Sequence, residues 1–226
     1  MPHALRPSVP PAEEPADGQP KTALRFLALG DSYTIGEGVA EQERWPVQLA
    51  RVLRESGVNL ADPTIIARTG WTTSELKSGM DLSPPQGTFD LVTLQIGVNN
   101  QFRGLDEAEF ERDLAELLQR AIACAGGRSQ SVIVLSIPDW SVTPFAQGRD
   151  RNTISAAIDR FNALNQRWAA RLGCRYVDVT AESRRADADN SLLADDGLHP
   201  SASMYSHWVA LTLPNARQIL EPDAAG

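Results

Sequence analysis

Residues 89–96 have the sequence Phe-Asp-Leu-Val-Thr-Leu-Gln-Ile, which is a nearly continuous apolar run. Such a run is typical of a parallel strand that helices cover on both faces. We predict that this segment is one of five strands. The other four are the short apolar runs at residues 25–30, 63–67, 131–137 and 175–179.

Helical periodicity appears between the predicted strands. A helix is predicted over residues 46–55, and another begins near Asp106, where a capping box precedes an apolar stripe. A third covers residues 154–172, and a last one begins near Ser201 and is expected to break or end at Pro214. Strands that alternate with helices predict right-handed βαβ units and a parallel sheet.

The composition divides the chain into two parts. Of its 226 residues, 42% are apolar and 22% charged, which is ordinary globular usage and fits one domain. Residues 1–21 hold six of the fifteen prolines and almost no large apolar side chains. We predict a flexible arm there, with a partner-binding polyproline stretch as the alternative. Residues 22–226 are predicted to form a single domain.

Charge and hydropathy exclude several classes of partner. The net charge of −8 gives no basic footprint for nucleic acid or anionic lipid. No apolar run is long enough for a membrane helix, so membrane insertion is not expected. The N-terminus lacks a signal-peptide pattern, which favours a cytoplasmic protein; secretion stays open if a leader precedes this sequence.

The two cysteines and three histidines give little support for a disulfide framework or a metal site. Cys124 and Cys174 lie fifty residues apart, and two buried thiols are favoured over a single bridge. His3 lies in the predicted arm, so a His-rich metal centre is not expected.

Hydrogen-bonding residues and glycines follow three of the predicted strands, where an open α/β sheet binds its ligands. Gly30-Asp31-Ser32 follows the first strand, Gly70 the second and Asn99 the third. Singly, the serine fits a helix cap, Gly70 an ordinary loop, and Asn99 a self-bonded turn. Together they offer a hydroxyl above the sheet and two further hydrogen-bond donors.

A carboxylate and an imidazole occur three residues apart near the C-terminus, at Asp196 and His199. A carboxylate in that position can accept from Nδ1–H and leave Nε2 free as a base. Taken alone the pair also fits a surface turn, and His207 is expected to be packed or solvated. A serine, an oriented base and two extra donors together form the set that acyl transfer requires.

This set resembles the SGNH hydrolases, also called the GDSL lipase/esterase family. The resemblance covers residues 26–200, with all four blocks in the family's order. The blocks are Gly30-Asp31-Ser32, Gly70, Gly97-x-Asn99 and Asp196-x-x-His199.

The resemblance implies a three-layer αβα fold whose five-stranded parallel sheet has the flavodoxin-like order 2-1-3-4-5. It also implies a serine esterase that needs no metal or cofactor. In that mechanism Ser32 is the nucleophile and His199 is the base, oriented by Asp196. The implied oxyanion hole consists of the Ser32 and Gly70 N–H groups and the Asn99 side-chain amide. Asp31 is expected to brace the turn.

One position departs from the family pattern. The third block usually reads Gly-x-Asn-Asp, and Asn100 stands here in place of the final Asp. The implied oxyanion donor Asn99 is retained, but a structural acidic contact is lost, which leaves the loop geometry open. Asp195 is an alternative orienter for the histidine, although the three-residue spacing favours Asp196.

Aromatic residues near the strand ends are predicted to line the substrate crevice. Trp140 and Phe145 lie in the loop after the fourth strand, and Trp71 follows Gly70. They suit a small or medium acyl group or a sugar ring. Short-chain esters, acetylated sugars, lysophospholipids and thioesters remain open as substrates, and the oligomeric state is not determined.

Two other functions fit parts of the pattern. Phosphoester chemistry at Ser32 would need a metal or a basic cluster, and only Arg68 and Arg103 come near. The turn is neither a P-loop nor a GxGxxG fingerprint. A non-catalytic ligand-binding module is the second alternative, and it is disfavoured because Ser32, Asp196 and His199 are all present.

Overall fold

The computed structural model of the chain describes residues 22–221. The arm predicted at residues 1–21 lies outside this range, and the predicted domain boundary there stays a prediction. The strands are β1 (Phe26–Gly30), β2 (Thr64–Ala67), β3 (Leu91–Gln95), β4 (Val132–Leu135) and β5 (Arg175–Val177). All pairs of these strands are parallel and the sheet order is β2-β1-β3-β4-β5, which confirms the predicted fold class.

Helices cover both faces of the sheet, as the continuous apolar strands predict. The helices are α1 (Ser32–Ile35), α2 (Trp45–Glu55), α3 (Thr73–Leu82), α4 (Val98–Phe102), α5 (Glu107–Cys124), α6 (Arg151–Leu172), α7 (Thr180–Ser183) and α8 (Ala202–Leu220). The helix α2 packs against α8, while α5 packs against both α3 and α6.

Large aromatic side chains fill the core. Trp45 of α2 and Trp208 and Tyr205 of α8 are fully buried. The rings of Phe110 on α5 and Phe161 on α6 lie 4.6 Å apart and are also buried. Each such side chain removes about 150–250 Å² from water, so these contacts fix the helices on the sheet.

The register of the sheet brings three strand ends to one level. Gly30, the last residue of β1, pairs with Ala67 at the end of β2 and with Gln95 at the end of β3. The segments that follow these strands therefore leave the sheet side by side.

The last helix continues through Pro214, so the predicted break there is wrong. Pro214 lies on the exposed side, and so does Ala210, whose carbonyl loses its helical partner to the proline ring. Thr212 and Ala216, on either side of the proline, are buried. Packing therefore outweighs one lost hydrogen bond on the solvent side.

Both cysteines are free thiols, as predicted. Cys174 is buried, and burial raises the pKa of its thiol to about 11, whereas Cys124 is only half-buried. Among the described residues no helix has the length and apolar character needed to cross a bilayer. The cytoplasmic location stays a prediction from the sequence.

Gly30 has no room for a side chain, and its replacement gives a test of the fold. A Cβ on Gly30 would collide with Thr34 and lie 2.6 Å from the Gln95 carbonyl oxygen. We expect Gly30→Ala to lower the free energy of unfolding by about 3 kcal/mol, at the upper end for overpacking. Urea unfolding measures this change.

Gly104→Ala is the control, because φ there is +64° and nothing lies within 4 Å of the added Cβ. Backbone strain alone should cost about 1 kcal/mol at that position. Equal losses for the two variants would contradict the close packing of Gly30 against β3.

Candidate active site

Ser32 lies at the sharp turn between β1 and α1. The Asp31 carboxylate caps this short helix by accepting from the Tyr33 N–H at 3.0 Å. The helix ends after four residues at Gly36, whose φ of +71° favours glycine. Ser32 is therefore held above the carboxyl edge of the sheet, where it lines a cleft with only 5% of its surface exposed.

His199 and Asp196 form a close pair in the loop before α8. His199 Nδ1 lies 2.6 Å from Asp196 Oδ2. The other carboxylate oxygen accepts from the N–H groups of Leu198 and His199, both at 2.9 Å. Burial opposes the ionisation of Asp196, but these hydrogen bonds outweigh it and lower its pKa. Asp196, rather than Asp195, therefore contacts the imidazole.

Gly70 and Asn99 face the same cleft as Ser32. Gly70 has a φ of +82°, which turns the backbone in a way that other residues rarely adopt. Asn99 Nδ2 donates to the Trp71 carbonyl at 3.0 Å. Because an amide group carries two protons, this bond orients the side chain and leaves a second proton for a ligand.

The cleft joins these polar groups to an apolar wall and has a volume of about 140 Å³. Ser32, Gly70, Asn99 and His199 all line it. No hydrogen bond joins the Ser32 hydroxyl to the imidazole within residues 22–221; such bonds are often long without substrate. The other residues that line the cleft are Tyr33, Thr69, Val98, Phe102, Trp140, Phe145 and Leu198.

Three aromatic rings form the wall of the cleft. The ring centroids of Phe102, Trp140 and Phe145 lie 5.4–6.1 Å apart. The Arg149 guanidinium lies 5.2–5.6 Å from each of them, and Trp140 Nε1 donates to Gln101 at 2.8 Å. Phe102 was not predicted, because the five residues of α4 are too few to show a helical period.

Trp71 does not line the cleft, and this corrects the prediction from the sequence. Its indole lies against Gly79 of α3, where an added Cβ would collide with the ring. Because Gly79 has no side chain, the indole packs against its backbone rather than in the crevice. Trp71 contributes its carbonyl to the site instead, as the acceptor for Asn99.

Arg103, one of the two basic residues near the turn, is already engaged. Arg103 donates to the Gly70 carbonyl at 2.5 Å and pairs with Glu75 at 3.3 Å. This arrangement supports the loop and offers no basic cluster for a phosphate. The described part of the chain also contains no group of three His, Cys, Asp or Glu side chains arranged to hold a metal ion.

Asp31 is a fully buried carboxyl group directly before the serine. Burial raises its pKa to about 7, although its hydrogen bond from Tyr33 acts in the opposite direction. Its second oxygen, Oδ2, has no hydrogen-bond partner among the described residues. A protonated carboxyl group is therefore favoured here at mildly acidic pH.

Asp31 should make stability depend on pH. Between pH 4 and pH 7 the folded protein keeps a proton that the unfolded chain has released. We therefore expect the free energy of unfolding to fall as pH rises through this window, by up to about 1.4 kcal/mol per pH unit. Urea unfolding between pH 4.5 and pH 8 measures the slope.

Asp31→Asn should remove this slope, because it keeps the acceptor for Tyr33 and cannot ionise. Asp62→Asn is the control, since that side chain is 89% exposed. If Asp31→Asn and wild type show parallel pH profiles, the carboxyl group is not the source of the dependence.

Several solved structures share this fold. A lipase/acylhydrolase from Enterococcus faecalis superposes with a TM-score of 0.69 at 21% identity, over 88% of this chain and 98% of that chain. A structure of TesA gives 0.67 at 20% identity, over 87% and 99%. An acetyl xylan esterase from Geobacillus stearothermophilus gives 0.59 at 17% identity, over 85% and 94%.

A family model gives the assignment that these distant structures cannot. None of the curated proteins is a significant sequence match to this chain. The model of the GDSL-like Lipase/Acylhydrolase family, however, matches residues 28–207, which is most of the domain. The chain therefore belongs to the GDSL-like lipase/acylhydrolase family of carboxylic ester hydrolases.

Proposed function

We propose that this enzyme hydrolyses esters of small acyl groups through an acyl-enzyme on Ser32. The observation that carries the proposal is the 2.6 Å contact between Asp196 and His199, with the imidazole on the same cleft as Ser32. The pair supplies an oriented base on the same cleft as a hydroxyl, and Gly70 and Asn99 supply donors there.

The first half of the reaction forms the acyl-enzyme. The Ser32 oxygen attacks the ester carbonyl carbon, and its proton passes to Nε2 of His199. The carbonyl oxygen takes up the negative charge and accepts hydrogen bonds from the N–H groups of Ser32 and Gly70 and the amide of Asn99. As the carbonyl re-forms, the C–O bond to the alcohol breaks, and the alkoxide leaves with the proton from His199.

The second half frees the acid. A water molecule attacks the acyl carbon while His199 takes its proton, and the same donors receive the oxyanion. The bond to Ser32 then breaks, and its oxygen regains the proton from His199. Asp196 holds Nδ1–H throughout and stabilises the imidazolium that forms in each half.

The size of the cleft supports short acyl groups as substrates. Its volume of about 140 Å³ is close to the roughly 150 Å³ of a cavity that accepts benzene. Drug-sized ligands occupy pockets of about 300–1,000 Å³. An acyl chain of two to six carbons therefore fits against Trp140 and Val98, and a twelve-carbon chain must extend into solvent.

A carbohydrate acetyl esterase is the second candidate within the same chemistry. Phe102 and Phe145 are each 42% exposed at the edge of the cleft, and exposed rings can stack on a sugar. Two similar structures are variants of one Geobacillus enzyme, Axe2, which is described as an acetyl xylan or acetyl-xylooligosaccharide esterase. Comparing acetylated xylooligosaccharides with p-nitrophenyl acetate distinguishes the two candidates. Lysophospholipids and thioesters are tested in the same assay series.

Replacing the nucleophile tests the proposal directly. Wild type should hydrolyse p-nitrophenyl butyrate, and a fluorophosphonate probe should label Ser32. Ser32→Ala should not be labelled, and its kcat should fall at least about 10³-fold. The remaining rate acceleration would come only from the oxyanion donors and from substrate binding. Ser78→Ala, at an exposed serine of α3, is the control and should behave as wild type. Labelling or turnover that survives in Ser32→Ala would exclude Ser32 as the nucleophile.

The acyl-chain profile tests the substrate assignment. With p-nitrophenyl esters of two, four, eight and twelve carbons, kcat/KM should be highest at two or four and decline beyond. Phe145→Ala shortens the wall and should shift preference toward the eight-carbon ester several-fold. Leu211→Ala is the matched control, with 41% exposure away from the cleft. A maximum at twelve carbons in wild type would contradict a short acyl site.

A further inference from the structure

Asn100 occupies a buried position on α4, where it faces the start of α3 just after the Gly70 loop. It is 2% exposed and directly follows Asn99 on α4. Its Oδ1 accepts from the Thr73 N–H at 3.0 Å, and its Nδ2 donates to Thr73 Oγ1 at 2.9 Å. One side chain thus makes both bonds to the first residue of α3, three positions after Gly70.

The backbone amide fixes which way the Asn100 side chain points. The Thr73 N–H can only donate, so the oxygen of Asn100 must face it and the NH2 group must face the Thr73 hydroxyl. The Thr73 hydroxyl accepts that bond and has one proton of its own to donate.

That proton goes to a carboxylate on α5. Thr73 Oγ1 donates to Asp113 Oδ2 at 3.1 Å, and Lys77 donates to Asp113 Oδ1 at 2.6 Å. The Asp113 side chain is 13% exposed, and Lys77 balances its charge. The chain Asn100–Thr73–Asp113–Lys77 therefore has an acceptor for every proton used in it.

An aspartate at position 100 would break this arrangement. Each of its carboxylate oxygens would need a hydrogen-bond donor, one the Thr73 N–H and the other the Thr73 hydroxyl. The hydroxyl, however, already donates its proton to Asp113. Two carboxylates would then compete for one proton in a buried site, which is unfavourable for both.

We infer that Asn100 is a positioning residue that fixes the Gly70 loop relative to Asn99. The nearby Asp113 carboxylate requires an amide rather than a second carboxylate at position 100. This rests on the proposed function, since Gly70 and Asn99 matter here as oxyanion donors. Asn99 adds a parallel tie through its bond to the Trp71 carbonyl. Trp140 and Phe145 of the apolar wall lie in the segment after β4, away from these bonds. Losing the Asn100 bonds should therefore displace the donors more than it weakens substrate binding.

A double-mutant cycle tests this inference through kcat and KM for p-nitrophenyl butyrate. Asn100→Asp should lower kcat about 10–100-fold with KM within about threefold, because small displacements of catalytic donors are costly. Adding Asp113→Asn removes the competing carboxylate, so N100D/D113N should regain at least fivefold in kcat over N100D. Asn99→Ala, which deletes a donor outright, sets the upper limit of the loss, at about 10²–10³-fold.

Melting temperatures of all variants separate positioning from simple stability. An N100D protein with wild-type kcat at a temperature well below its melting point, or losses that are additive in the cycle, would overturn the inference. If N100D alone does not fold, a folded and active N100D/D113N is the same rescue. A double variant that also fails to fold, together with wild-type kcat in Thr73→Val, would overturn it.

The failure of the proposed function gives a different pattern. In that case wild type itself would not hydrolyse the ester, or Ser32→Ala would retain turnover. Wild-type turnover that depends on Ser32, with no rescue in the cycle, would reject only the role of Asn100.

Discussion

The parallel pairing of β1 with both of its neighbours is the constraint on which the rest of the site depends. Gly30 is level with Ala67 and Gln95, so three chain segments leave the sheet together although they are far apart in sequence. Ser32 follows two residues after β1 and Asn99 four residues after β3. Since Gly30 has no side chain, the turn into α1 can pass close to the β3 backbone. A serine and two hydrogen-bond donors thereby share one edge, and the bonds of Asn99 to Trp71 and of Asn100 to Thr73 fix the two loops there.

The imidazole is brought to this edge by other means. His199 lies in a loop closed on itself by the bond from the Ala194 N–H to the His199 carbonyl at 2.7 Å. Beyond the loop, α8 anchors it through Trp208, which packs in the core. The Tyr33 ring lies 5.4 Å from the imidazole and 6.2 Å from the Trp208 indole, so it connects the Ser32 turn to the histidine loop. The two halves of the proposed machinery are joined by aromatic packing rather than by a strand.

The sequence predicts those parts of the fold and the site that depend on interactions between residues close together in the chain. The strands appear as apolar runs, and the Asp-x-x-His pair forms within one turn, so both are legible in the chain. The sheet order is non-local, and it came only through the family resemblance. Helix α3 was not predicted, although Thr72 and Glu75 form a reciprocal capping box at its start. The direction of Trp71 depends on space at Gly79, nine residues from Gly70, and no pattern near Gly70 signals it.

Two carboxyl groups lie close to the proposed catalytic residues, and their surroundings give them opposite protonation. Asp196 accepts two backbone N–H groups and contacts His199, so its pKa is lowered and it stays charged. Asp31 is buried and accepts a hydrogen bond from only one backbone N–H group, that of Tyr33, among the described residues, and its pKa is raised to about 7. Below neutral pH, a charged Asp196 therefore faces the imidazole, while the uncharged form is favoured for Asp31 directly before Ser32. Separation of two carboxyl groups by environment is how one site assigns them different roles. In the proposed mechanism it leaves Asp196 to orient the base and Asp31 to brace the serine turn.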